Sequence, residues 1–197
     1  YKLTGATDLA YGAPFHNRRG AAKQAVGLFM QVLPVRVTLQ AEETFLTLVQ
    51  KVSAATMQTL RHSHYAATNP VQQRTYEVVL NYHNMASATF NGYPVINEAV
   101  HPGYGDESLG VRVLDLNNSG ALTLEFDFNR ALFPADDQNR VIQHFVQVID
   151  ALIADYRQPI GQVKLLTPAE EQQFVVALNQ TARPAPYVMG RKQASQV

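Results

Sequence analysis

The stretch LGVRVLDLNNSGALTLEFDF, residues 109–128, decides the fold. Residues 109–116 and 121–128 are two runs of strand formers. The four residues between them, Asn117-Asn118-Ser119-Gly120, supply the turn. In the second run Leu122, Leu124, Phe126 and Phe128 alternate with Thr123, Glu125 and Asp127. That period of two puts an apolar row on one face and a polar row on the other, the pattern of a half-buried antiparallel pair.

Downstream of this hairpin, Pro134 opens a helix whose stripe is Val141, Phe145, Val148, Ile149 and Leu152. Pro159 ends that region. A short helix is expected over 167–178, with Thr167 as N-cap, Pro168 at the first helical position and Glu170 completing a capping box. From Asn179 onward the chain is polar and Pro-containing, as a linker is.

Upstream, residues 91–107 hold Gly92, Pro94, Pro102, Gly103 and Gly105 and are expected to be mostly loop. TYEVVLNYHN, residues 75–84, is expected to be a strand. Residues 43–64 are expected to form a helix capped by Thr44, with Glu42 and Glu43 near its positive end and Phe45, Leu48, Val49, Val52 and Met57 on one face. In the strand expected over 26–39, Phe29, Gln31, Leu33, Val35 and Val37 share a face, and Pro34 points to an edge strand or a kink. Residues 17–25 are a loop and 8–16 an extended segment. Strands and helices mix without strict alternation. The fold class is therefore α/β, an α+β sandwich with a mixed open sheet flanked by helices.

Composition excludes several function classes. The 197 residues, 46% of them apolar, suffice for one packed domain. Sixteen basic residues balance sixteen acidic ones, so no overall field draws nucleic acid or anionic lipid. There is no cysteine, hence no disulfide, thiol nucleophile or thiolate metal site. No stretch reaches the roughly 20 apolar residues of a membrane helix, and no signal-peptide pattern opens the chain. The expected location is the cytoplasm. His62 and His64 lie two apart at a helix end, so their side chains diverge, and no third ligand follows at useful spacing. No metal site is expected. Asp136-Asp137 and Glu170-Glu171 stand at helix starts, where dipole compensation explains them.

The order of motifs resembles the condensation domains of nonribosomal peptide synthetases. GAPFHNRR followed by VGLFMQVLPVRV is similar to that family's Gly-Arg turn and its "VGFFVNTLPLR" strand. TYEVVLNYHNM resembles the "FQVMFVLQN" strand. LTLEFDFNRALF, a helix, and IGQVKLLTPAEEQQFVVALNQTARPAP resemble the closing strand, the closing helix and the "LLTxxE…LxxxNxT…P" exit toward an adenylation domain. The likeness covers about residues 8–187 in one consistent order.

The resemblance implies a chloramphenicol-acetyltransferase-like, pseudo-dimeric fold of two lobes, of which this chain would be the C-terminal one. Residues 1–166 would form that lobe and 167–197 the exit helix and linker. The family's HHxxxDG motif belongs to the other lobe and does not occur here, so no catalytic residue is expected in this chain. Arg18 matches the arginine that pairs with the aspartate of that motif, a bidentate organising contact. His16-Asn17 replaces the family's Ala-Gly before it. Asn84 matches the asparagine that ends the "LQN" strand, where a primary amide can orient a thioester or an amine. Asn81 and His83 share one strand face, Ser108 precedes the next strand, and Gln31 stands for the family's strand asparagine. These four are the expected tunnel residues.

The implied activity is amide formation between an acyl or peptidyl thioester donor and an aminoacyl acceptor, each held on a carrier protein. The implied partners are the N-terminal lobe, upstream and downstream carriers, and an adenylation domain. No nucleic acid or membrane takes part. No cofactor is bound, because phosphopantetheine arrives on the carriers. The alternatives are a catalytically silent docking platform and a coenzyme A-dependent acyltransferase lobe. The exit linker argues against the second.

Overall fold

A computed structural model describes residues 1–18, 20–63, 75–85, 89–95, 103, 105–116 and 118–180. The chain divides into two compact units, Tyr1–Leu165 and a second beginning at Leu166.

The first unit is built on a five-stranded mixed sheet. Its strands are β1 (Asp8–Phe15), β2 (Gln31–Thr38), β3 (Val78–Met85), β6 (Leu109–Leu116) and β7 (Thr123–Phe128), in the order β2-β1-β3-β6-β7. The two outer pairs, β1 with β2 and β6 with β7, are antiparallel, while β1, β3 and β6 run parallel. Pro34 sits in β2, an edge strand, where a missing N–H is tolerated. The strand is shorter than the 26–39 expected, because residues 26–30 form no ladder. β1 and β3 meet through one bridge, Gly12 with Val79. A Cβ at Gly12 would stand 2.6 Å from the Tyr76 ring and 2.8 Å from Val32 Cγ1, so the close approach requires glycine.

Leu33, Val35 and Val37 are buried along β2, opposite Ala13, Tyr11 and Leu9 of β1. Helix α1 (Phe45–Arg61) packs on β2. Thr44 caps it as expected, in a reciprocal box with Thr47. Glu43, just before the cap, pairs with Lys51 and accepts the Gln40 amide. The chain returns to this helix start after α2 (Ala135–Ala154): the Ile160 amide donates to Glu43 O and the Gly161 amide to Ala41 O, which buries Ile160 and Val163.

At the other edge, α2 lies against β7 through an edge-to-face contact of Phe126 with Phe145, ring centroids 5.3 Å apart. Phe128 meets Phe133 at the same centroid distance, 5.3 Å. The expected stripe of α2 faces inward, yet none of its residues is fully buried.

The loop expected over 91–107 begins with a small hairpin. β4 (Thr89–Phe90) and β5 (Tyr93–Pro94) pair across Asn91-Gly92, both with positive φ, 50° and 82°. Asn-Gly favours that mirror-image turn, a signal the glycine and proline count obscured. In the second unit, α3 (Pro168–Glu171) starts with the expected Thr167–Glu170 capping box and continues as a π-type turn over Gln172–Ala177. Most of the expected exit linker, from residue 181, lies outside the described residues, as does His64.

Candidate functional site

Because β1, β3 and β6 run parallel, their carboxyl ends share one end of the sheet, and antiparallel β2 begins there. Loops beyond the carboxyl ends of strands form the ligand crevices of open α/β sheets. Three expected site residues meet at this end: Arg18 in the loop after β1, Gln31 at the start of β2, and Asn84 near the end of β3.

Arg18 is not a solvated loop arginine. Its guanidinium donates to Gly27 O at 2.8 Å, to Ala22 O at 3.4 Å and to Ala25 O. The Phe29 ring lies 4.8 Å below it, a cation–π contact. One side chain thus gathers the 20–29 loop by its carbonyls. Asn17, where the family's glycine was expected, has φ 50°. Asparagine tolerates this left-handed conformation better than most residues. Asn17 Nδ2 donates to Gln31 Oε1 at 2.7 Å, which ties loop to strand, and the buried Asn17 Oδ1 has no partner among the described residues. Asn17 and Phe29 are the contributors the sequence reading missed; an asparagine in a glycine slot was the available signal.

Asn84 Nδ2 donates to Asn118 Oδ1 at 2.5 Å across the hairpin turn. One pair earlier on the same face of β3, the Tyr82 hydroxyl donates to Asp115 Oδ2 at 3.2 Å. Asp115, 9% exposed, also takes the Gly120 amide. Desolvation of the Tyr82 phenol and its bond to Asp115 hold it above its ordinary pKa.

Asn81 and His83 occupy the opposite face of β3 from Asn84. Register sets Asn81 beside Arg112, whose guanidinium reaches Glu125 and Asp127 at 3.2 Å each. The buried His83 Nε2 and Arg112 Nε have no hydrogen-bond partner among the described residues. Ser108 stands apart from both groups. It donates to Glu77 Oε2 at 2.7 Å at the start of β3. That is the far end of the sheet from Asn84, roughly 23 Å away at about 3.3 Å per residue. A cleft of about 620 Å³ also lies at that far end, lined by Glu107, Phe126, Phe128, Arg130 and Gln138 among others. It includes none of the expected site residues.

An exposed apolar series borders the Arg18 loop: Val26, Leu28, Met30 and Val32. Val78, Leu80 and Tyr82 of β3 are also more than a third exposed. No helix among the described residues is long and apolar enough to cross a membrane.

Residues 1–175 match the Condensation domain family, and the chain belongs to it. Its relatives are peptide synthetases. The dimodular nonribosomal peptide synthase of Bacillus subtilis (strain 168) is 25% identical over 195 residues, and tyrocidine synthase 2 of Brevibacillus parabrevis is 25% identical over 199. These matches take in 93% and 92% of this chain but only 8% and 5% of the relatives. The starter condensation domain of rhizomide synthetase RzmA superposes with TM-score 0.72 at 27% identity, over 85% of this chain and 42% of that one. The first condensation domain of the calcium-dependent antibiotic synthetase, in complex with a substrate analogue, shares the fold at TM-score 0.67 and 22% identity, over 84% of this chain and 40% of that one. The expected mixed open sheet with flanking helices is thus the architecture of condensation domains.

Proposed function

We propose that this chain is the C-terminal lobe of a condensation domain that forms amide bonds in nonribosomal peptide synthesis. The observation that carries this reading is the rim built at one end of the sheet, Arg18 with its gathered loop, Gln31 and Asn84, inside a chain of the condensation family. Arg18 holds the 20–29 loop, which serves as the floor loop of the site, and meets the aspartate of an HHxxxDG motif in the other lobe. A histidine of that motif assists or positions the attacking amine. Gln31 and Asn84 border the tunnel, with Asn81 and His83 on the opposite sheet face. The exposed run from Val26 to Val32 leans on the other lobe, since apolar patches of that kind mark interfaces. Phosphopantetheine brings both thioesters on carrier proteins in the cytoplasm, and an adenylation domain follows.

The test supplies the full-length polypeptide and, separately, this chain with loaded donor and acceptor carriers, and reads amide product by mass spectrometry. Product from the full polypeptide and none above background from this chain is expected. A C8-CoA donor belongs among the arms, because the related rhizomide starter domain has been solved with that ligand. Product from this chain alone would overturn the assignment of roles between lobes. No product from the full polypeptide with any donor would favour the docking platform.

A further inference from the structure

A guanidinium takes a carboxylate in its own plane, so whatever fixes that plane sets the direction of the contact. The Arg18 guanidinium is held both at its edge and on its face. At the edge, Nη1 donates to Ala22 O at 3.4 Å and to Ala25 O, and Nη2 donates to Gly27 O at 2.8 Å. These carbonyls do not fix the plane alone. They belong to residues 20–29, which form no ladder and are gathered by Arg18 itself. The outside reference is the ring on the face. The Phe29 centroid lies 4.8 Å from Arg18 Cζ. Phe29 stands two residues before Gln31, which opens β2 in register with Phe15.

Phe29 is not placed as a core residue. Its neighbours Val26, Leu28 and Met30 are exposed, and it alone among these apolar residues is half-buried. A Cβ on Gly27, whose φ is 151°, would stand 3.4 Å from Phe29 Cε2. The ring therefore also packs on the backbone whose carbonyl Arg18 holds. An aromatic face attracts a cation, which an aliphatic side chain in its place does not.

We propose that Phe29 is a positioning residue: from its place beside the start of β2 it fixes the plane of the Arg18 guanidinium, and so the direction in which Arg18 meets the carboxylate of the other lobe. This rests on the reading of Arg18 as an organiser of a condensation site. The effect of Phe29 on the reaction passes through Arg18.

The experiment uses the full-length polypeptide as parent, Phe29→Leu, Phe29→Tyr, Arg18→Ala, and Phe29→Leu combined with Arg18→Ala. One readout is kcat and KM for amide formation with loaded carriers. The other is the rate at which a lysine-specific protease cuts after Lys23, an exposed residue of the same loop. Phe29→Leu should lower kcat roughly fivefold, the size of one partly exposed cation–π contact, with KM within about twofold and cutting at Lys23 faster by a similar factor. Phe29→Tyr keeps the ring and should stay within about twofold of the parent in both readouts. In the Arg18→Ala background Phe29→Leu should add less than about twofold, because the residue it positions is gone. An equal Phe29→Leu loss in both backgrounds, an unaffected Phe29→Leu, or a Phe29→Tyr as impaired as Phe29→Leu overturns the proposal. Where Arg18→Ala makes too little amide to measure, the same comparison at Lys23 decides. A parent that makes no amide brings down the condensation reading instead, while cutting at Lys23 still reports whether Phe29 acts through Arg18.

Discussion

The two edges of the sheet each carry a helix, and they are held together differently. At the β2 edge, Leu33, Val35 and Val37 are 3%, 0% and 7% exposed beneath α1, and Ile160 and Val163 close the same core. At the β7 edge, Leu124, Phe126 and Phe128 stay half-buried, and α2 has no fully buried residue. There the contacts are edge-to-face rings, and a guanidinium bridges two carboxylates on the outer face. A helix over a strand is therefore not by itself a core. Aliphatic close packing excludes water on one side, while the other side depends on fewer, more directional contacts.

Substitutions can break or sharpen this contrast. Leu33→Ala should cost most, about 2–5 kcal/mol in urea unfolding, because it opens a cavity in the tight edge. Arg18→Ala should follow, at about 1.5–3 kcal/mol for a charged donor serving several carbonyls. In the full polypeptide it should also depress condensation at least tenfold. Arg18→Lys should rescue only part of both losses, since an ammonium cannot span the same carbonyls and stack on Phe29. Parental stability and rate in Arg18→Ala would mean that the loop holds its shape unaided. Phe126→Leu should cost about 0.5–1.5 kcal/mol, the ring contact with Phe145 beyond simple burial. A larger loss there than in Leu33→Ala would reverse the ranking of the two edges.

The smallest expected effect is electrostatic and belongs to the β2 edge. The hydrogen bond from Lys51, helped by the Gln40 amide and opposed by desolvation, holds the Glu43 carboxyl below its ordinary value. Its stabilisation is fully present above the unfolded pKa of about 4.3 and fades as pH falls through the lower folded value. Glu43→Gln should thus be less stable than the parent at pH 7, with the difference closing below about pH 4. A constant difference across that range in urea titrations would remove Lys51–Glu43 from the account.

The sequence carried the elements whose signals are local. The alternation of Leu124, Phe126 and Phe128, the Thr44 and Thr167 caps and the stripe of α2 all reappear, because each depends on neighbours a few residues away. Residues 26–30 were expected to continue β2 and do not, since a strand needs a partner and composition cannot supply one. The site was legible in part. Arg18, Gln31 and Asn84 fall at one end of the sheet, whereas Ser108 lies at the other. That separation comes from the parallel register of β3 and β6, which links residues some thirty positions apart. The bond between Asn84 and Asn118 was hidden for the same reason, because the two residues are 34 positions apart.

The single bridge between Gly12 and Val79 gives this sheet a seam. On one side β1 and β2 are zipped over their full length, and on the other β3 and β6 are paired from Val78 to Met85. Regions held by few contacts open at lower free energy, so the β1–β3 line is expected to open more readily than either zipped pair. Amide protons beside the seam should exchange ahead of those in either zipped pair. The Arg18 loop follows β1 on one side of it and Asn84 lies on β3 on the other, so opening along that line would change the distance between the two.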